Sequence, residues 1–82
     1  MKNRYVRKEL KRLRVSNFLS QEQMAKRCNV SRNNYSYIER GERDGSADFW
    51  FTLQDKFNVP MEQLIEMRRI SEVKQWEEIT EK

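Results

Sequence analysis

Three residues, Asn29-Val30-Ser31, have to end one helix and begin the next. Upstream, Ser20 is of the type that caps a helix N-terminus, and Gln23 stands three positions later, as in a capping box. Met24, Ala25 and Cys28 follow on the inner face of that helix. Asparagine tolerates left-handed backbone, so Asn29 can close the helix where glycine would be usual. Ser31 then caps a further helix, from which Tyr35 and Ile38 point inward, and Gly41 fits the position just past its last turn.

A turn of about three residues between two such helices has the length and chemistry of a helix-turn-helix. The flanks supply more helices. Val6, Leu10 and Leu13 share one face of a first helix expected over residues 4–15. Ser46 caps a fourth, whose apolar stripe is Ala47, Trp50, Phe51, Leu53 and Phe57. Asn58-Val59 repeats the earlier Asn-Val ending, and Pro60 suits the first position of a fifth helix through Leu64 and Ile65. Leu64, Met67, Ile70, Val73, Trp76 and Ile79 then recur every three residues. A helix turns once every ~3.6 residues, so this row drifts backward by ~60° per step and cannot all face one side. The expected outcome is a break near Ser71, followed by a short terminal helix. The fold class is therefore all-α: a compact bundle of about five helices over 1–70, with a C-terminal helical extension over 71–82.

Composition narrows the function. The chain has 82 residues, one cysteine and no histidine, which rules out an internal disulfide and leaves no basis for a structural zinc site. The bland reading of Cys28, a small buried hydrophobe, is preferred to a reactive thiol. The longest strictly apolar run, Phe49-Trp50-Phe51, is too short for a membrane span. No apolar stretch follows the basic start, so a signal peptide is not expected and the cytoplasm is the expected compartment. Charge is uneven: +6 over residues 1–14, +1 over 15–45 and −3 over 46–82, for a net +4. A basic front suits a polyanion, although lysine and arginine also simply solvate a helix.

The run LSQEQMAKRCNVSRNNYSYIERGER resembles the helix-turn-helix of the Cro/C1-type (XRE) family of DNA-binding regulators. Leu19-Ser20-Gln21, Met24-Ala25, Val30-Ser31 and Ile38-Glu39-x-Gly41 carry the match, which extends over roughly residues 10–65. The resemblance implies a lambda repressor-like fold, with the third helix (about 31–40) in the major groove. It implies base-edge contacts from Arg32, Asn33 and Tyr37, with Ser36 and Asn34 at the margin. Gln21 would touch a phosphate and brace that helix, and Arg14 would pair with Glu39. The sequence departs from the family at Phe18, where glycine is usual, so the first corner is expected to turn on Asn17. It departs again at Asn29 and Asn58, and at Gly45, where proline is common.

The residue types support the same reading independently. Arginine bonds guanine O6 and N7 in a fork, and asparagine does the same to adenine N6 and N7. Arg32 and Asn33 stand in the first turn of their helix, where the tip enters a groove. Tyr37, one turn beyond Asn33, offers its ring to a thymine methyl or its hydroxyl to a phosphate. Arg40 and Arg43 are candidate phosphate contacts past the helix end, with Gln21 and Asn34. For residues 32–37 the plain alternative, a solvated helix face, is outweighed by the cap, the short turn and the basic flank taken together; for Arg40 and Arg43 solvated surface is nearly as good a reading.

The expected function is a sequence-specific regulator of transcription that binds double-stranded DNA as a homodimer. It acts as a small repressor by operator occupancy, without cofactor, metal or catalytic site, and is prokaryotic or encoded by a phage or mobile element. Val73, Trp76 and Ile79 are candidate dimer contacts, although Trp76 serves equally well folded back on the fifth helix. The alternative function is a protein-interaction module, such as an antitoxin that binds its partner through the C-terminal extension.

Overall fold

The computed structural model describes residues 3–74. Its elements run β1 (Asn3–Val6), α1 (Lys8–Ser16), α2 (Gln21–Arg27), α3 (Arg32–Glu39), α4 (Ala47–Phe57), α5 (Met61–Arg68) and β2 (Ser71–Lys74). The five helices carry the core, so the chain is an all-α bundle, with one small ribbon joining its two ends.

Each of α2, α3 and α4 begins on a serine whose Oγ accepts a backbone N–H three residues on: Ser20 from Gln23, Ser31 from Asn34 and Ser46 from Phe49. The Gln23 side chain returns the bond to the Ser20 amide at 2.8 Å and completes the capping box. The ends of α1 to α4 also share one device, a residue of positive φ: Phe18 (58°), Asn29 (60°), Gly41 (78°) and Asn58 (52°). At Gly41 the Glu42 amide reaches the Tyr37 carbonyl at 2.8 Å and the Gly41 amide reaches that of Ile38 at 3.0 Å, the pair of bonds of a Schellman closure.

The first corner differs from the expectation that it would turn on Asn17. Asn17 has φ −97°, and Phe18 takes the left-handed position itself. The Phe18 amide bonds to the Val15 carbonyl at 3.0 Å and the Leu19 amide to that of Arg14 at 3.2 Å, the same closure as at Gly41. Asn17 instead folds its Nδ2 back onto the Leu13 carbonyl at 2.8 Å. Gly45 has φ +79°, which proline cannot adopt, and a Cβ there would sit 2.9 Å from Nε1 of Trp50. That indole donates to the Asp44 carbonyl at 3.0 Å.

Every helix feeds the core: Leu10 from α1, Met24 and Ala25 from α2, Tyr35 and Ile38 from α3, Phe49, Trp50 and Leu53 from α4, Leu64 and Met67 from α5. Burying each large apolar side chain contributes about 1.5–3 kcal/mol. The α4 stripe is rotated from the expected one. Phe49, Trp50 and Leu53 face inward with Phe57 half-buried, whereas Ala47 and Phe51 are exposed. The Phe49 ring meets Trp50 edge-on, with centroids 4.9 Å apart, and this pair sets the helix's rotation.

The chain ends also differ from expectation. Residues 4–6 belong to β1, so the first helix begins only at Lys8. Residues 71–74, expected to start a terminal helix, form β2, antiparallel to β1, with Val6 opposite Ser71 and Arg4 opposite Val73. The cause is Arg7. Its amide bonds to the Glu39 carbonyl at 2.9 Å, and its Nε takes the Arg68 carbonyl at 3.0 Å. The end of α5 is thereby capped from outside, and Arg69 turns extended at ψ 140°. Ile70 then lies against Gly41, where a Cβ would be 3.1 Å from its Cγ2. Val73 is thus a strand residue; Trp76 and Ile79 lie outside the described residues.

Candidate nucleic-acid interface

The helix α3 is fixed on its inner side by one carboxylate. Glu39 is 3% exposed and receives Arg14 Nε at 2.8 Å, Arg14 Nη2 at 3.2 Å, Gln21 Nε2 at 3.2 Å and the Tyr35 hydroxyl at 2.6 Å. Arg14 Nη1 also donates to the Leu19 carbonyl at 3.0 Å. One residue of α3 is therefore tied to α1 and to the start of α2, and through Arg14 to the first corner. Burial pushes the Glu39 carboxyl upward, but the bonds from Arg14, Tyr35 and Gln21 outweigh it and hold it below the usual carboxylate range. The same pair raises Arg14. Tyr35 is raised first by burial and then by the adjacent Glu39 charge, so its proton stays on the phenol.

Arg7 fixes the far end of α3. It is 3% exposed, and its Nη1 donates to the Ile38 carbonyl at 2.6 Å and the Arg43 carbonyl at 2.8 Å. The guanidinium also lies 5.5 Å from the Trp50 ring centroid. A buried cation is normally costly. Here it caps the C-terminal carbonyls of two helices, where the helix dipole is negative. Burial lowers its pKa, with Asp44 opposing, and the guanidinium stays charged. Sequence reasoning missed Arg7, because one arginine in a strongly basic run carries no mark of burial.

The outer side of α3 holds the residues expected to meet DNA. Arg32 and Asn33 are exposed in the first turn, and Asn34, Ser36 and Tyr37 are half-buried beside them. Residues four apart share a helix face, which aligns Arg32 with Ser36 and Asn33 with Tyr37. Arg40 and Arg43 are exposed beyond the helix and converge on the Tyr37 ring. Arg43 also donates to Asn34 Oδ1 at 3.0 Å. The expected residues therefore fall into three groups: Arg14, Gln21 and Glu39 in the inner network, Arg32, Asn33 and Ser36 on the outer face, and Asn34, Tyr37, Arg40 and Arg43 clustered at the margin.

Elsewhere, Cys28 is buried, and desolvation pushes its thiol up to about 11 against the opposing charge of Lys56. No helix of the described residues is long and apolar enough to cross a membrane.

Two short helices at a four-residue turn (28–31), the second with its inner side anchored and its outer side polar and cationic, define a helix-turn-helix DNA-binding domain. A helix-turn-helix family model matches residues 10–64 of this chain. The chain belongs to the Cro/C1-type helix-turn-helix family of DNA-binding transcription regulators, which are not typically enzymes. No curated protein matches the chain.

Proposed function

We propose that the chain is a sequence-specific repressor that binds an operator in double-stranded DNA with α3 in the major groove. Arg32 and Asn33 read base edges from the first turn of the helix, with Ser36 behind them. Asn34, Arg40 and Arg43 grip the phosphate backbone along one margin, and Gln21 does so along the other. Gln21 Nε2 gives one N–H to Glu39 and has a second to offer a phosphate. Asn34 accepts from Arg43 through its oxygen, so its amide N–H groups remain as donors.

The observation that carries this reading is the division of α3 into two sides. Glu39 and Tyr35 anchor one, and the other exposes Arg32 and Asn33, the side-chain types that recognise guanine and adenine. Bound as a homodimer on half-sites about one helical turn apart, the domain represses by covering its site. The test is selection from a random duplex library followed by a mobility shift on the selected site. A symmetric site bound with affinity that falls steeply with salt is expected. A folded chain that enriches no sequence would end the proposal.

A further inference from the structure

The ring of Tyr37 lies close to two guanidinium groups. The Cζ of Arg40 is 5.0 Å from its centroid and that of Arg43 is 4.6 Å away. The backbone explains why they converge. The Tyr37 carbonyl accepts from the Glu42 amide at 2.8 Å and the Arg43 amide at 3.2 Å, so the loop after α3 folds back over the residue whose ring it meets. The remaining contacts agree with that placement: Arg43 Nη1 with Asn34 Oδ1 at 3.0 Å, and Arg40 Nε with Glu42 at 2.9 Å. An aromatic face attracts a cation and restricts a side chain that would otherwise sample many rotamers. A guanidinium held against a ring still carries several N–H groups, and these bind phosphate in pairs.

We infer that Tyr37 is a positioning residue, whose ring presets Arg40 and Arg43 as a paired phosphate clamp past the end of α3, and that it does not read a base itself. The inference rests on the DNA-binding reading above. It assigns the work to the π face, so the hydroxyl is dispensable and phenylalanine can replace tyrosine.

The experiment compares wild type, Tyr37→Phe, Tyr37→Leu and the Arg40→Ala/Arg43→Ala double variant. Binding is measured on the selected duplex and its single-base variants over a series of salt concentrations, with a melting curve for each protein. Tyr37→Phe should bind within about twofold of wild type, since a phenyl ring keeps the cation–π contact. Tyr37→Leu should lose about tenfold on every duplex alike, and its log–log salt slope should shrink by about one to two, towards that of the double variant. Adding Tyr37→Leu to the double variant should cost little more.

Loss of preference at one base pair with the salt slope unchanged would overturn the inference, as would a Tyr37→Phe protein as weak as Tyr37→Leu. If Tyr37→Leu fails to fold, the free wild-type protein decides: the Arg40 and Arg43 Hε resonances should be displaced upfield by the ring, and random-coil positions would overturn the clamp. Wild type that captures no duplex removes the DNA reading and the inference together. Wild type that binds while Tyr37→Leu keeps its full salt slope removes the inference alone.

Discussion

Arg14 holds Glu39 in a fork, Nε on Oε2 at 2.8 Å and Nη2 on Oε1 at 3.2 Å, with the two side chains 14% and 4% exposed. A buried pair of this kind adds less net stability than its Coulomb attraction suggests, but removing one partner strands the other charge.

Glu39→Gln should therefore destabilise the domain by about 3 kcal/mol, because Arg14 is left without its carboxylate. The pH dependence follows from the folded carboxyl lying below its usual range. A carboxyl depressed by folding adds stability that is fully present above its unfolded pKa, near 4.3, and is lost as pH falls through the lower folded value. Wild type should lose stability across that acidic window, whereas Glu39→Gln should be flatter there. Urea denaturation at pH 7 and at steps below pH 4.5 measures both. Parallel acid limbs in the two proteins would contradict the role given to Glu39.

Phe18 is strained without compensation. It sits in left-handed backbone at φ 58° and is 93% exposed, so its ring recovers nothing by packing. A non-glycine residue in that conformation costs roughly 1–2 kcal/mol. Phe18→Gly should raise stability by about 1 kcal/mol, after allowing for the entropy that glycine adds to the unfolded chain. Phe18→Asn should fall between the two. A lower melting temperature for Phe18→Gly would show that the ring makes a contact in solution that its exposure does not reveal.

The central motif was legible in the sequence because its signals are local. Serine caps, the Gln23 return bond and the closures at Asn29 and Gly41 act within a few residues, and each of them lies where the sequence placed it. The exposure of the candidate site residues was legible, since it follows from the inward spacing of Tyr35 and Ile38 on α3. The chain ends were not legible. The pairing of residues 3–6 with 71–74 is a contact across most of the chain, and neither segment declares its partner. Arg7 is the clearest case, because its burial depends on carbonyls at Ile38, Arg43 and Arg68 that only the folded chain brings together.

Arg7→Met tests that node. The substitution keeps much of the side-chain volume but withdraws the donors to the three carbonyls. Hydrogen bonds from charged donors are worth about 1.5–3 kcal/mol each, and the acceptors gain partial relief from water. A net loss of about 2–4 kcal/mol is expected. Arg7→Lys should recover only part of it, since one ammonium cannot span two helix ends as a planar fork does. Amide hydrogen exchange locates the effect: protection should fall at the last turns of α3 and α5 before it falls in α2. Uniform loss of protection would mean that Arg7 contributes only generic stability.

Glu42 opposes the proposed phosphate clamp. Its carboxylate lies 2.9 Å from Arg40 Nε, and both side chains are about half exposed at 54% and 43%. An exposed pair of this kind is worth only about 0.2–1 kcal/mol, so Glu42→Gln should leave the melting temperature nearly unchanged. The same small energy works against DNA, because Arg40 must leave Glu42, or share with it, before it can hold a phosphate. Glu42→Gln should therefore bind the selected duplex roughly two- to fivefold more tightly at low salt, the range that ~0.4–1 kcal/mol spans. The gain should be equal on every single-base variant of the site, because a phosphate carries no sequence information. It should also shrink as salt screens the exposed charges. A gain confined to one base pair would place Arg40 at a base edge, and no gain at any salt would detach Arg40 from the interface.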